Sequence, residues 1–253
     1  MSLKAKILGQ QGSIKRTLVI LIATTIVLLY SAFQISRNHQ FQFFGKIISH
    51  VETDKKVVAL TFDDGPTYKG TEPVIEILRQ HEIKATFYLN GRPMQQHPEL
   101  ATLLIDAGHE IGNHSYSHKR MVFMPYSDVA EELESTSKLI RELGYQGEIR
   151  FRPPYGKKLF MLPYYLARND ITAITWDVET ETFNKGEDTP EKIIKRTMES
   201  VKPGSIILLH VMHGDGSTLK ALPEIISRLK QRGYRFATVS ELIELSPKSL
   251  VKG

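Results

Sequence analysis

Four short clusters carry residue types that hydrolytic and metal chemistry needs. Asp63 and Asp64 stand before Gly65-Pro66, His114 and His118 lie four apart, Arg152 precedes Pro153-Pro154-Tyr155-Gly156, and His210 ends Ile207-Leu208-Leu209. Neighbours on an extended segment point to opposite sides, so one aspartate can hold a cation while the other takes a proton. Residues four apart on a helical turn share a face, which would let both imidazoles reach one ion. Two histidines and one aspartate form a facial set with coordination positions left open. The prolines stiffen their loop and have no N–H, leaving the Tyr155 and Gly156 amides as donors. Arg152 can hold a carboxylate by a bidentate contact.

Each cluster also has an ordinary reading. Asp-Gly-Pro is a common turn, spaced histidines are common on surfaces, Arg-Pro-Pro makes rigid loops, and a lone strand-end histidine is usually hydrogen-bonded core. The positions argue otherwise, because all four clusters end strand-like segments. Those segments are 57–62, 85–90, 109–113, 149–152, 171–178, 205–210 and 234–239. Enzymes with parallel sheets keep their sites at such strand ends.

Helical patterns separate the strands at 73–80, 98–107 and 127–143, from a start at 189–191, and at 218–231 and 240–245. Thr71 is a plausible cap for the first, and Gly108, Gly144 and Gly233 stop three of the others. Thr189-Pro190-Glu191 combines a cap, a first-turn proline and a first-turn acid. Seven strands alternating with helices give an α/β fold with mostly parallel pairing, either an open doubly wound sheet or a barrel.

Taken in order, Thr-Phe-Asp-Asp-Gly-Pro, His-Ser-Tyr-Ser-His, Arg-Pro-Pro-Tyr-Gly and Leu-Leu-His resemble the polysaccharide deacetylases of the NodB-homology type, carbohydrate esterase family 4. The resemblance covers about residues 55–240. It implies a distorted (β/α) barrel of seven or eight strands and one divalent metal ion, Zn2+ or another such as Co2+. It also implies hydrolysis of N-acetyl groups on aminosugar polymers. By this likeness Asp64, His114 and His118 bind the metal, Asp63 is the base for the attacking water, and Arg152 orients Asp63. The Tyr155 backbone N–H stabilises the oxyanion and His210 protonates the leaving amine. One motif departs. The family's Asp-x-x-Asp-Trp run, whose second aspartate supports the acid histidine, is replaced by Glu179, Thr182 and Phe183 at the equivalent places. Glu179, Glu181 or Asp177 are the candidates to substitute.

The N-terminus bounds location and partners. Residues 1–50 hold six of the 33 basic residues and no acid, so the remainder carries 27 basic against 28 acidic residues. The domain is thus close to neutral, and nucleic-acid binding loses its support. Residues 17–36 are uncharged and long enough to cross a bilayer as a helix. The cations before them place the N-terminus in the cytoplasm and the domain outside. A cleavable signal peptide is the competing reading, with Ser31-Ala32-Phe33 a poor cleavage site. The expected order is a basic cytoplasmic segment 1–16, a transmembrane anchor 17–36, a linker 37–54, the deacetylase domain 55–245 and a tail 246–253. Phe41, Phe43 and Phe44 in the linker suit either the membrane interface or the domain surface. There is no cysteine, so any metal must be held by histidine or carboxylate.

The leading expectation is a membrane-anchored hydrolase acting on N-acetylglucosamine units of an envelope or extracellular glycan: peptidoglycan, chitooligosaccharide or poly-N-acetylglucosamine. The alternatives are a deacylase of a lipid-linked aminosugar and an inert glycan-binding protein. A two-His-one-carboxylate iron oxygenase fits the ligand types but leaves Asp63 and His210 without a task.

Overall fold

The computed structural model describes residues 3–182, 188–213 and 215–246, with side chains from residue 15 onward. Residues 1–2, 183–187, 214 and 247–253 lie outside that description, and with them Phe183 and nearly all of the expected tail.

The sheet is built around β2 (Val57–Asp63), whose seven residues are all buried. It pairs in parallel with β3 (Thr86–Leu89), β7 (Ile206–Leu209) and β8 (Arg235–Ala237). β8 takes the first part of β2 and β3 the last. β4 (Glu110–Asn113) continues beyond β3, and β6 (Val178–Glu179) beyond β7, giving the order β4-β3-β2-β7-β6. β1 (Ile47–Ile48) pairs separately with β5 (Ala173–Ile174). All of these pairings are parallel, as the strand–helix alternation predicts.

Side-chain alternation divides the sheet into two faces. Val58, Leu60 and Phe62 of β2 join Phe87, Leu89, Ile207 and Leu209 in the larger core. That core lies under α2 (Thr71–Gln80), α4 (Pro98–Asp106), α7 (Pro190–Ser200) and α8 (Ser217–Gln231), which contribute Leu78, Leu104, Ile193 and Ile225. Val57, Ala59, Tyr88, Ile206 and Leu208 have the opposite parity and form a second cluster with Trp176. Along β2 this inner face runs from apolar Val57 and Ala59 to polar Thr61 and Asp63. His210 shares the parity of Ile206 and Leu208. Asp63 and His210 therefore follow from the alternation that buries the strands.

Two expected strands are reduced. Of 149–152 only Phe151 pairs, bridging Asn113 on one side and Ala173 on the other. Its neighbours Arg150 and Arg152 instead reach buried acids, Glu110 and Asp63, and Pro153 ends the run. The segment 171–178 breaks into β5 and β6, because Thr175 turns to the Ile48 carbonyl and Asp177 to the main chain of Ile206.

Helices α3 (Gly91–Gln96) and α6 (Met161–Arg168) and strand β1 had no signal in the pattern. α5 (Tyr126–Glu142) and α9 (Val239–Glu244) match expected helices within a residue or two. Thr71 is the first residue of α2, and Gly70 is its cap. Thr189 caps α7 through the Lys192 N–H. At the N-terminus α1 (Leu3–Ser36) contains the apolar stretch, and Lys15–Ser36 is long and apolar enough to cross a membrane. The stretch that follows carries β1 and the buried Val51, so it packs on the domain.

Candidate active site

β2 ends at Asp63, and the chain then enters the left-handed region at Asp64 (φ 73°) and Gly65 (φ 74°) before a cis Gly65–Pro66 bond. Positive φ at Asp64 reverses the direction expected of an extended segment. Both carboxylates therefore face one cluster: His114 Nε2 lies 3.6 Å from Asp63 Oδ2 and 3.8 Å from Asp64 Oδ1. This corrects the expectation that the two acids point to opposite sides. A non-glycine residue in this region stores about 1–3 kcal/mol of strain, a feature that concentrates at functional sites.

The histidine pair also meets by a route other than the expected helical turn. His114 follows β4, and residues 114–118 form a loop with Ser115 (φ 66°) and His118 (φ 57°) in the left-handed region. Buried polar contacts hold that loop. The Asn113 side chain accepts from the Ser115 N–H, the Asn90 amide donates to the His114 carbonyl, and Glu132 accepts from the Ser117 N–H. His118 Nε2 lies 3.3 Å from Asp64 Oδ1. Asp64, His114 and His118 present ligand atoms within 4.8 Å of one another. His114 Nδ1 lies 2.8 Å from the Arg152 carbonyl, which fixes the tautomer with Nε2 free toward the cluster. One carboxylate oxygen and two imidazole nitrogens in this arrangement fit a divalent ion such as zinc. Burial pushes the His118 imidazole below its ordinary pKa, with the neighbouring His114 acting in the same direction. A neutral imidazole is the ligating form.

Asp63 is buried and bound by Arg152, which is itself fully buried. One guanidinium nitrogen donates both to Asp63 Oδ1 at 2.7 Å and to the Thr61 hydroxyl at 2.8 Å. The other nitrogen donates to the Thr175 carbonyl, and the group lies 4.1 Å over the Tyr88 ring. Burial pushes the Asp63 carboxyl up, but Arg152, with His114 and His210, outweighs it and holds the carboxyl below its usual range. Asp63 is thus an ionised carboxylate beside the ligand cluster.

The loop after Arg152 forms a single 3-10 turn, Pro154–Gly156, with Tyr155 at φ 59°. Gly156 N–H donates to the Pro153 carbonyl, so of the two amides expected to be available Gly156 is already used. The Tyr155 ring packs 4.7 Å from His118 and lies under the Arg120 guanidinium.

His210 follows β7. Its Nδ1 lies 2.8 Å from Glu181 Oε2, and its backbone N–H donates to Glu181 Oε1. Thr218 donates to the same carboxylate. Burial alone would depress the imidazole pKa, but the Glu181 hydrogen bond and charge, with Asp63 and Asp64, raise it to about 9.

With this geometry in view, the likeness to known proteins is specific. The polysaccharide deacetylase family model matches residues 50–174. A peptidoglycan-N-acetylglucosamine deacetylase of Bacillus cereus is 34% identical over 203 residues, spanning 79% of this chain and 93% of the relative. The chain belongs to the polysaccharide deacetylase family. The crystal structure of a peptidoglycan N-acetylglucosamine deacetylase of this family, bound to an N-hydroxybenzamide derivative, aligns with a TM-score of 0.72 and 30% identity. The alignment covers 78% of this chain and 92% of that one. A family pseudoenzyme from Bacillus anthracis aligns with a TM-score of 0.70 at 30% identity, covering 79% and 69%.

Within this deacetylase the departing fourth motif resolves to one residue. Of the three acids considered, Asp177 is taken up by the Ser205 hydroxyl and the Ile206 N–H. Glu179 lies exposed at the end of β6, whereas Glu181 is buried against His210. Thr182 binds Asp188, and Phe183 lies outside the described residues. Spacing along the motif could not choose among the acids, because the choice depends on the irregular path after β6.

Proposed function

We propose that this polysaccharide deacetylase removes N-acetyl groups from N-acetylglucosamine units of peptidoglycan, with residues 17–36 anchoring it in the membrane and the domain outside the cytoplasm. The domain would run over 55–245, after the cytoplasmic segment 1–16 and the stretch 37–54, with 246–253 as its tail. Phe151 and the run 173–179 carry pairings on both sides, which supports closure of the sheet into the irregular barrel expected of the family. The glycan follows from the relatives of stated activity.

One observation carries the catalytic reading. A buried carboxylate held ionised by arginine and an imidazole held charged by a glutamate flank a single two-His-one-Asp cluster. Asp64, His114 and His118 would hold a divalent ion, with Zn2+ the best fit to the donor set. The bound ion supplies Lewis-acid chemistry, polarising the acetyl carbonyl and lowering the pKa of water. Asp63 takes a proton from the water whose oxygen attacks the acetyl carbon. Arg152 orients Asp63 and keeps it ionised until then. The Tyr155 N–H donates to the developing oxyanion; such a donor is worth about 3–4 kcal/mol. His210 gives its proton to the sugar nitrogen as the C–N bond breaks, so acetate and a free amine leave. General acid–base groups of this kind contribute about 10²–10⁴-fold each.

The test is acetate release by the full-length protein from peptidoglycan, with chitooligosaccharides, poly-N-acetylglucosamine and a lipid-linked N-acetylglucosamine carrier in parallel. Release from peptidoglycan that disappears in Asp63→Asn supports the reading. Release only from the lipid-linked carrier would shift it to a lipid-linked substrate. Glycan binding without release, as the pseudoenzyme relative makes worth checking, would replace catalysis by recognition.

A further inference from the structure

The end of α1 is fixed to the domain rather than joined to it by a loose tether. The buried Lys158 donates its backbone N–H to the Ser36 carbonyl at 3.0 Å and its ammonium to the Asn38 carbonyl at 2.6 Å. The Thr175 hydroxyl donates to the His39 carbonyl, and the His39 ring packs 4.3 Å from Trp176.

Directly beyond this junction lies an aromatic surface assembled from two segments. Phe43 stacks on Phe160 at 4.7 Å, Phe44 meets Tyr164 edge-on at 5.7 Å, and Phe41 meets Phe43 at 5.4 Å. Phe41, Phe43, Phe44, Phe160, Met161 and Tyr164 remain between 39% and 46% exposed. Packing against one another has thus not taken these side chains out of solvent. Phe41 lies five residues past Ser36, at most about 18 Å of chain, and the Lys158 and Thr175 contacts prevent that stretch from extending. None of the apolar window within Lys15–Ser36 is buried by the protein, so under the anchor reading the aromatic surface lies next to a segment that lipid would cover. Arg37 lies over the Phe33 ring at the last turn of α1, 5.3 Å from its centroid. Phe side chains with flanking cations seat at the boundary between acyl chains and headgroups in interfacial segments, and Tyr settles at the same level.

We propose that this aromatic platform seats in the headgroup layer of the bilayer that α1 crosses, holding the domain in one attitude with its candidate site close to the lipid surface. The inference rests on the anchor reading and adds to it a second, interfacial contact. The platform and the site are mechanically joined. His39 packs on Trp176, the Arg152 guanidinium lies 5.6 Å from Trp176, and Arg152 binds Asp63. The occupant is taken as lipid rather than a second copy of the chain because the platform follows within a few residues the end of the unburied helix, and Lys158 and Thr175 hold that intervening stretch to the domain.

The chain has no cysteine, so single cysteines can be labelled cleanly in the full-length protein. Phe43→Cys and Tyr164→Cys, each carrying an environment-sensitive fluorophore, are reconstituted in phosphatidylglycerol–phosphatidylcholine vesicles. Lys195→Cys on the exposed face of α7 is the reference. At positions 43 and 164 the emission should shift to the blue, be quenched by spin-labelled lipid and resist iodide; position 195 should show the reverse. Iodide quenching at 43 and 164 equal to that at 195 overturns the inference while leaving the anchor standing. Shielding from both quenchers also overturns it, and assigns the surface to a second copy or another protein. Failure of the full-length protein to float with the vesicles removes the anchor and this inference together.

Discussion

Glu181 grips His210 at two points, accepting from the ring Nδ1 side at 2.8 Å and from the backbone N–H at 2.9 Å. The first contact sets the charge of the ring and the second sets its position. The Thr218 hydroxyl also donates to this carboxylate, which helps hold Glu181 against His210.

The pH consequence has a definite sign. His210 has its pKa raised to about 9 chiefly by Glu181, against a burial effect that lowers it. In its proposed role as general acid it must be protonated, so turnover should fall as pH rises through that value. Glu181→Gln removes the charge and should move the basic limb of the rate profile to lower pH with reduced turnover. Glu179→Gln should leave the limb in place. His210→Ala should cost about 10²–10⁴ in turnover. The raised pKa also stabilises the fold below the ordinary value of 6.5, a contribution lost as pH climbs through about 9. Paired pH–rate profiles of the two glutamine variants decide the point, and equal behaviour of both would remove Glu181 from its role.

Arg152 and Asp63 make a buried pair that is costly to break from one side. Arg152→Met leaves an uncompensated carboxylate and should destabilise the domain by about 3–5 kcal/mol. Adding Asp63→Asn should recover part of that loss, because the stranded charge is gone. Because the Asp63 pKa lies below its usual 3.8, the pair's contribution is present above that value and fades as pH falls through the lowered one. Urea melts of the two single variants and the double variant, at neutral and acid pH, measure both effects.

Much of this arrangement could be read before the fold was known, and for a physical reason. Asp63 and His210 have the inner-face parity of strands that are buried on both sides, so a strand assignment also assigns the face. The parts that resisted reading are those that leave regular geometry. Asp and His accept a positive φ more readily than most residues, but that preference does not say which of them take it, and the turns at Asp64 and His118 bring the carboxylates and imidazoles together. The choice of Glu181 over Glu179 and Asp177 depends on chain after a two-residue strand. The Gly156 amide was expected to be available because prolines precede it, but the tight turn they favour uses that donor internally. Helices α3 and α6 are short, and too few turns establish a period.

The anchor should survive in the mature protein. The full-length chain should partition with membranes, resist carbonate extraction, and expose its domain to added protease from outside. A mature form beginning near Phe33 would show that the segment is a cleaved signal instead.

The ligand set gives the sharpest test of the site. Asp64, His114 and His118 place their donor atoms within 4.8 Å of one another, and no other such group occurs among the described residues. Their surroundings are held by contacts that do not require an ion: Asn90 on the His114 carbonyl, Asn113 on the Ser115 N–H and Ser115 on the His118 N–H. Removing a ligand should therefore empty the site without unfolding the loop. Asp64→Ala and His118→Ala should each lose bound metal and deacetylase activity together, while the far-ultraviolet circular dichroism and the melting temperature stay close to the parent's. Asp64→Ala also removes one carboxylate from a crowded cluster but puts alanine, which tolerates φ 73° less well than aspartate, at a left-handed position, so a small loss of stability is expected. Asp63→Asn is the contrast: in the proposed mechanism that residue handles a proton rather than the ion, so the ion should stay while turnover is lost. Chelation should abolish activity in the parent, and zinc or cobalt should restore it. Metal content is read by plasma mass spectrometry on protein dialysed against a chelating resin. Undiminished metal in both Asp64→Ala and His118→Ala would place the ligands elsewhere.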